Sequence, residues 1–406
     1  MTRPNFFFFA IVYFMGLTSF LPAGDSAVNS EISGFIKFDG YYDTRQVTSA
    51  REGHFHLYPK DIDKDSEGND LNAVSNINMV NFQSRVRIKM NAPEALGAKV
   101  SGLLEADFFG ASGDNEDELR LRHATIKLDW VGSQLLIGQY WSPLFTPAVY
   151  PQTVSFNTGM PFQPFARNPQ IRYTLKMGDN LALFGAATMQ RDAYEENGGR
   201  VKQQMSGLPG LHGNAELGNA KALVGAGGHL RFIRHDAAAD VMSSLVLTGY
   251  GKLVGSKFAL RGKMVYGGDM TDQLMLGGYT VLTDTVSGSV DYQPLQTISA
   301  WFDIASVGKP ITVGIFGGYS SNLGLASDKT TNQTEAFFAR SSNITGLWRL
   351  SPRAVYNVGK LRFAFELEIT SVLYASDYEQ NLAPKELSDD ERVTNIRGLF
   401  ATYLFF

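Results

Sequence analysis

A series of basic side chains in the first half of the chain carries the strongest chemical signal. Its members are Arg85, Arg87, Lys89, Arg120, Arg122, Arg167 and Arg172. Arginine keeps its charge at any physiological pH and presents a planar fork of N–H donors to carboxylate or phosphate groups. Glu105 and Asp107 lie between the two arginine pairs in the sequence. The basic side chains therefore either attract anions or pair with these carboxylates, and the two roles can coexist.

Metal-binding and catalytic patterns are weak by comparison. Residues 61–68 resemble an Asp-x-Asp-x-Asp calcium loop, but Ser66 occupies the glycine position and Asn72 the final acidic position. We therefore expect a solvated acidic loop and no metal site. His54 and His56 have no third ligand in view. The histidines form no hydrolase motif and the glycine pairs open no phosphate-binding helix, so we expect neither an enzyme nor a cofactor.

The N-terminus has the layout of an exported precursor. Arg3 gives a positive start, Phe6–Leu21 is apolar, and small residues follow. This layout predicts a cleaved signal peptide over residues 1–27 rather than a spanning helix, because the apolar core is short for a bilayer. Residues 28–406 contain no linker and are predicted to form a single domain.

The composition excludes several classes of protein. Lys and Arg total 36 and Asp and Glu total 40, so the net charge of −4 lacks the basic footprint of a nucleic-acid-binding protein. No later apolar run reaches the roughly 18 residues of a membrane-spanning helix. Cysteine is absent, which excludes disulfides and a lipid-modified N-terminal cysteine.

Alternation of polar and apolar residues predicts β-strands, most clearly in Phe82–Asn91 and Leu361–Thr370. Between the predicted strands, short connections alternate with longer, polar ones. The short connections lie near 92–96, 131–133, 177–179, 217–219, 252–256, 306–309 and 357–360. The long ones lie at 43–78, 110–116, 142–167, 191–205, 234–240, 269–284, 321–334 and 375–391. Fifteen connections imply about 16 strands, each of about ten residues. Short turns and long loops in strict alternation are typical of an all-β transmembrane antiparallel up-and-down β-barrel.

Two segments depart from this regular pattern. The third long loop, residues 142–167, is rich in aromatic residues and prolines and carries little charge. We expect it to fold inward and narrow a channel; the alternative is an external cap that contacts neighbouring protomers. The polar and apolar positions also change phase between Leu121 and Ile126, which predicts a β-bulge near His123–Ala124.

The chain ends on an alternating strand with an aromatic terminus. Phe400, Thr402, Leu404 and Phe406 share one face. A terminal aromatic residue resembles the assembly signal of bacterial outer-membrane proteins. We therefore expect recognition of Phe406 by the β-barrel assembly machinery.

Four motifs carry a family resemblance. They are LRLRHA at 119–124, IGQYWSP at 137–143, SGFIKFD at 33–39 and NPQIRY at 168–173. Over residues 31–175 the chain resembles the DcaP-like porins. The resemblance implies a trimeric sixteen-stranded channel for dicarboxylates and other small anions, with Arg120 and Arg122 at the eyelet and Arg167 and Arg172 near the third loop.

These observations together predict a bacterial outer-membrane porin for passive diffusion of small anionic or neutral hydrophilic solutes, with a preference for anions such as dicarboxylates. The predicted pore-lining residues are Arg85, Arg87, Lys89, Glu105, Asp107, Arg120, Arg122, Arg167 and Arg172. The expected partners besides solutes are outer-membrane lipid and two further copies of the chain. The alternative is a barrel that serves as scaffold for a surface adhesin or receptor, supported by the long loop at 43–78.

Overall fold

The computed structural model describes residues 28–110, 118–191, 199–308, 310–387 and 391–406. The predicted signal peptide, residues 1–27, lies outside the described residues. The described ranges contain one α-helix, α1 (Gly199–Ser206), and two 3-10 helices, Pro143–Phe145 and Thr271–Gln273. Within these ranges no helix has the length and apolar character needed to cross a membrane.

The strands account for most of the described chain. They are β1 (Asn29–Asp43), β2 (Val47–Ala50), β3 (Phe55–Pro59), β4 (Asn76–Val80), β5 (Arg85–Ala95), β6 (Ala98–Asp107), β7 (Arg120–Asp129), β8 (Ser133–Trp141), β9 (Arg167–Met177), β10 (Leu181–Thr188), β11 (Gly210–Gly218), β12 (Ala222–Arg234), β13 (Val241–Val254), β14 (Phe258–Gly268), β15 (Gly277–Asp284), β16 (Val290–Ser306), β17 (Ile311–Gly324), β18 (Gln333–Arg340), β19 (Ile344–Val358), β20 (Leu361–Tyr374), β21 (Asp377–Tyr378), β22 (Pro384–Lys385) and β23 (Arg392–Phe405).

Sixteen of these strands form a closed antiparallel barrel, as the sequence predicted. The wall runs from β1 through β5 to β14, then β16, β17, β19, β20 and β23. The ladder from Phe35↔Phe405 to Asp43↔Arg397 joins β1 to β23 and closes the sheet. The strand β4 extends the β5 side of the wall along β1. The strands β2 and β3 form a hairpin inside the first long loop, and β15 pairs with β16 and β18 in an extension of the wall.

The wall carries apolar side chains outside and polar ones inside, the reverse of a soluble protein. On β23, the outward Ile396, Phe400 and Leu404 are 41%, 45% and 44% exposed, whereas the inward Asn395 and Arg397 are buried. Lipid hydrocarbon offers no hydrogen-bond partners, so the outer face must be apolar and every backbone polar group must pair within the closed sheet.

The predicted β-bulge is present in β7, one residue earlier than expected. Glu105 of β6 pairs with His123 and the adjacent Ala106 pairs with Leu121, so Arg122 is the extra residue. Arg122 and His123 are both buried. The bulge therefore brings two consecutive side chains toward the lumen, where a regular strand would bring one.

The third loop, residues 142–166, folds into the lumen, as expected, and does not form an external cap. Its apolar side chains, including Phe145, Phe156 and Phe162, are buried. They join a cluster that also contains Trp301 and Phe316 of the far wall. Burial of this aromatic surface, at roughly 25 cal/mol per Å² removed from water, explains why the loop crosses the barrel.

The first long loop, residues 44–75, also enters the lumen. Phe55, Leu57 and Tyr58 of its hairpin are buried in the same apolar cluster as the third loop. The Tyr374 side chain donates a hydrogen bond of 2.7 Å to the carbonyl of Pro59. The hairpin that the adhesin alternative would place at the cell surface therefore faces the inside of the barrel.

Candidate functional site in the barrel lumen

Strands β5, β6 and β7 bring the two predicted arginine pairs to opposite sides of two carboxylates. The register pairs Arg87 with Glu105 and Arg85 with Asp107 across β5 and β6. Across β6 and β7 it pairs Asp107 with Arg120. All of these side chains lie on the luminal face because they occupy alternate positions of their strands.

The carboxylates accept several charge-assisted hydrogen bonds. Arg122 Nε donates to Glu105 Oε1 over 2.7 Å, and Arg122 Nη1 donates to Asp107 Oδ2 over 2.6 Å. Arg87 Nε donates to Glu105 Oε2 over 2.7 Å. Arg120 Nε donates to Asp107 Oδ1 over 3.1 Å. Arg122 is thus the central bridge, and it is held by both acids.

The arginines outnumber the acids and differ in exposure. Glu105 and Asp107 are fully buried, and so is Arg122, with 2% of its side chain exposed. Arg85 is 16% exposed and lies 3.7 Å from Glu105, while Arg87 is 41% exposed. Four arginines on two carboxylates leave an excess of two positive charges. The cluster thus contains arginines that pair closely with the carboxylates and a further positive charge that the carboxylates do not balance.

A cavity of about 490 Å³ opens beside this cluster, beneath the third loop. Four of the predicted pore-lining residues line it: Arg85, Arg87, Glu105 and Arg122. Aromatic side chains of the loop, including Phe145, Tyr150 and Phe156, form another part of its surface. The cavity thus combines exposed guanidinium groups with an aromatic wall, and its size suits a small solute.

The other predicted pore-lining residues are placed elsewhere. Lys89 follows Arg87 on the luminal face of β5 and is exposed. Arg167 is buried, with its guanidinium 5.0 Å from the Trp141 ring centre and 5.2 Å from that of Phe165.

Arg172 is hydrogen-bonded to groups of the barrel wall near the base of the third loop. It donates hydrogen bonds of 3.1 Å to Gln170 Oε1 and to the carbonyl of Trp141. Together with Lys89, Asp107, Arg120 and Arg167, it does not contribute to the lining of the 490 Å³ cavity.

Arg362 of β20 lines the same cavity and was missed in the sequence. Its Nε donates to Asn357 Oδ1 over 2.8 Å, and its guanidinium lies 5.0 Å from the Phe405 ring centre. The alternation of Leu361–Thr370 already placed Arg362 on the polar face. What the sequence lacked was the pairing of the last strands with β1, which brings this wall next to the arginine cluster.

The third loop is held over the cavity by acids of β20. Glu366 Oε2 accepts a hydrogen bond of 2.6 Å from the Val154 backbone N–H. Glu368 Oε1 accepts one of 2.6 Å from the Asn157 side chain. Both carboxylates are fully buried. Two charges that alternation alone would assign to the pore therefore serve to fix the loop.

The acidic loop and the two histidines contact other groups of the chain. In the part of the chain that the structure describes, no group of three or more His, Cys, Asp or Glu side chains could hold a metal ion. Hydrogen bonds from the backbone N–H of Asn69 and, to a smaller extent, from its side chain lower the pKa of Asp65. His54 lies 3.7 Å from Asp39, whereas His56 lies 3.4 Å from Glu368.

The fold has clear relatives among known proteins. The outer membrane channel DcaP of Acinetobacter baumannii is 16% identical, with 94% of this chain and 98% of that chain covered and a TM-score of 0.70. An anion-selective porin from Comamonas acidovorans is 10% identical, with 94% and 100% covered and a TM-score of 0.55. A trimer form of Vibrio cholerae OmpT is 10% identical, with 94% and 100% covered and a TM-score of 0.51. A search of curated protein sequences gave no match.

A closed barrel with an apolar outer face, a charged lumen and an inward third loop defines an outer-membrane porin rather than an enzyme. The family model for the DcaP outer membrane protein matches residues 24–265, which is more than half of the chain. The chain therefore belongs to the DcaP outer membrane protein family.

Proposed function

We propose that this porin passes small hydrophilic solutes passively and prefers anions, with dicarboxylates as the favoured class. The observation that carries the proposal is the surplus of arginine over carboxylate at the 490 Å³ cavity. Arg85, Arg87 and Arg362 line it beside Glu105, whose charge Arg122 already balances. A permeating solute meets these cations at close range.

Local charge outweighs the net charge of the chain in this setting. The Debye length at physiological salt is about 8 Å, so a solute in the lumen responds mainly to the groups that line it. The net charge of −4 is spread over the whole chain, including its extracellular loops. The Comamonas acidovorans relative, described as anion-selective, supports the same direction. The family resemblance supports the dicarboxylate class.

Reversal potentials in a salt gradient test the proposal. The wild-type channel should select chloride over potassium, and the double variant Arg85→Gln/Arg87→Gln should shift toward potassium, because it leaves Glu105 and Asp107 with fewer cations. Uptake of a small dianion should fall more than uptake of a neutral sugar. The variant Lys221→Gln/Lys257→Gln changes exposed lysines in the β11–β12 and β13–β14 turns that do not line the cavity; it removes the same charge and should behave as the wild type. Unchanged selectivity in Arg85→Gln/Arg87→Gln would refute the anion preference.

The proposed assembly is a homotrimer in outer-membrane lipid. The trimer form of the related Vibrio cholerae porin supports it. The outer face of the barrel also carries small residues, Gly40 and Gly102, at which walls could approach closely. A heat-modifiable trimer in mild detergent is the expected result, and a monomer at every concentration would refute the proposal.

The proposed export and assembly route uses both ends of the chain. Residues 1–27 would be cleaved as a signal peptide, and Phe406 would be recognised by the assembly machinery. The Phe406 backbone exchanges two hydrogen bonds with Gly34, of 3.3 and 3.2 Å, at the seam of the barrel. Deletion of Phe406 should therefore lower the amount of assembled barrel in the membrane, and normal amounts would contradict this role.

A further inference from the structure

A second cavity, of about 600 Å³, lies in the lumen at the periplasmic ends of β14, β16, β17, β19 and β20. Four basic residues line it, Arg261, Arg353, Lys360 and Arg362, and none of the described residues that line it is acidic. Arg362 also lines the 490 Å³ cavity, as do Gln152 and Phe405. The two cavities are therefore neighbours that share one arginine.

A buried carboxylate behind this second cavity accounts for one of its cations. Asp303 is fully buried, and the guanidinium of Arg353 contacts both of its oxygens, at 2.8 and 3.1 Å. The Gln152 backbone N–H also donates to Asp303, over 3.3 Å. Gly314 lies opposite Arg353 in the ladder, and a Cβ at this glycine would come within 2.8 Å of the guanidinium. Arg353 and Asp303 thus form a fitted, neutral pair.

Arg261 is left as a surplus charge. Its Nη1 lies 3.5 Å from Asp303, within ion-pair range, but makes no hydrogen bond to any described residue. Its side chain is 18% exposed at the cavity. Lys360, in the turn between β19 and β20, is exposed. With Arg362, three cations surround the cavity beyond the neutral Arg353–Asp303 pair.

We propose that this cavity is a second binding site for small dianions, in series with the first and open toward the periplasm. Three cations around one cavity hold a doubly charged solute more strongly than a singly charged one, because each pairwise attraction scales with the charge. Arg362 belongs to both sites, so an anion moves between them within one region of positive potential. The inference rests on the proposed function, since both place anions in the lumen.

Block of chloride current by sulfate tests the second site. The full-length channel is recorded in a planar bilayer in potassium chloride, with sulfate added to both sides as the dianion. The double variant Arg261→Gln/Lys360→Gln should need about fivefold more sulfate than the wild type to halve the chloride current. Arg353 is kept, so Asp303 retains its partner and the barrel should assemble. If the double variant fails to assemble, Lys360→Gln alone, in an exposed turn, should still raise the half-blocking concentration.

The matched control removes two charges at the same rim. Lys221→Gln/Lys257→Gln alters two exposed lysines in the β11–β12 and β13–β14 turns, neither of which lines the cavity, and should keep the wild-type half-blocking concentration. An equal shift in this control, no shift in Arg261→Gln/Lys360→Gln, or no sulfate block in the wild type would each overturn the second site. The proposed function is judged separately, by the chloride-to-potassium reversal potential without sulfate, so failure of one proposal is distinguishable from failure of the other.

Discussion

Arginines on two sides of the lumen share a residue type and an inward orientation but contact different groups. Arg87 of β5 faces the cavity, and 41% of its side chain is exposed. Arg349 of β19 is buried, and its guanidinium donates to the carbonyls of Met160 and Leu57, each over 2.7 Å. Arg87 therefore has N–H groups that a solute can reach, whereas the N–H groups of Arg349 are bonded to the first and third loops.

The acids of the two sides are all buried, but they are held by different groups. Glu105, on the β5–β7 side, is held by arginines of the adjacent strands. Glu366 and Glu368, on the β19–β23 side, accept hydrogen bonds from the third loop. Asp43 is paired with Arg397, which also donates to the carbonyl of Gly53 in the first loop over 2.8 Å.

A luminal charge in this barrel therefore has one of two roles. A buried charge is stable only when fixed protein groups replace its water, so it becomes part of the scaffold that they form. A charge that keeps part of its water can exchange that water for a solute. Exposure and partners, rather than residue type, separate the two roles.

Removal of the loop-holding arginine should have the largest effect. Arg349 Nη1 lies 3.7 Å from the buried Glu368 carboxylate. Arg349→Ala leaves this carboxylate buried without its cation, and breaking a buried pair in this way costs about 3–5 kcal/mol. We expect a lower temperature for the heat-induced mobility shift of the barrel, and a noisier channel because the loops loosen. Lys89→Ala removes a luminal cation that is exposed and should leave the transition temperature unchanged. Equal stability of the two variants would abolish the distinction between the two sides.

Acidification should give an intermediate effect through the first loop, outside the membrane-spanning strands. Burial and the nearby charges of Arg349 and Arg397 lower the pKa of His56 to about 4, although it also lies beside Glu368. Burial, with Lys37 and Arg397, also lowers the pKa of His54 well below 6.5.

The direction of this pH effect follows from the pH at which the histidines bind protons in the docked and the released loop. In a loop released from the lumen, His56 has its ordinary pKa of about 6.5, whereas in the docked loop its pKa is about 4. Between these two pH values only the released loop binds the proton, so the docked state loses stability as the pH falls from about 6.5 to about 4. Channel fluctuations should become more frequent from pH 7 to pH 5 in the wild type. The variant His54→Gln/His56→Gln should show a weaker pH dependence, and an equal dependence in both would refute this role.

Changes in the exposed acidic segment of the first loop, residues 61–68, should have the smallest effect. Asp63 and Asp65 lie among exposed or half-buried residues, and the Asp65 carboxylate already accepts hydrogen bonds from Glu67 and Asn69. The variant Asp63→Asn/Asp65→Asn should leave the reversal potential unchanged, because salt screens exposed charges from the lumen. Added calcium should not raise the temperature of the mobility shift. A marked change in either measurement would give this loop a role in selection.

The strand count and the third loop were predictable because each rests on a local property. Alternation shows which face of a strand is wet, and connection length separates turns from loops. The prolines and aromatic residues of the third loop predicted its burial. The β-bulge was predictable to within one residue, since the phase change at Leu121 and Ile126 requires it but does not say which residue is extra.

The division of luminal charges was not predictable, because it depends on contacts between distant segments. Arg362 and Glu366 lie on the same luminal face of β20. Glu366 binds the third loop, whereas Arg362 lines both cavities. The first loop is polar in composition, and only the pocket around Phe55 and Tyr58 explains its inward fold. These outcomes depend on how the ends of the chain meet when the barrel closes.

The bulge in β7 makes the central cation an insertion in the strand ladder. Leu121 pairs with Ala106 and His123 pairs with Glu105, so the partners on β6 are consecutive whether or not Arg122 stands between the two. Deletion of Arg122 alone would therefore restore an unbroken ladder, and every other side chain of β7 would stay on its present face. The charge of the arginine cluster on β5 and β7 can thus change with the length of one strand, and not only with the identity of its residues.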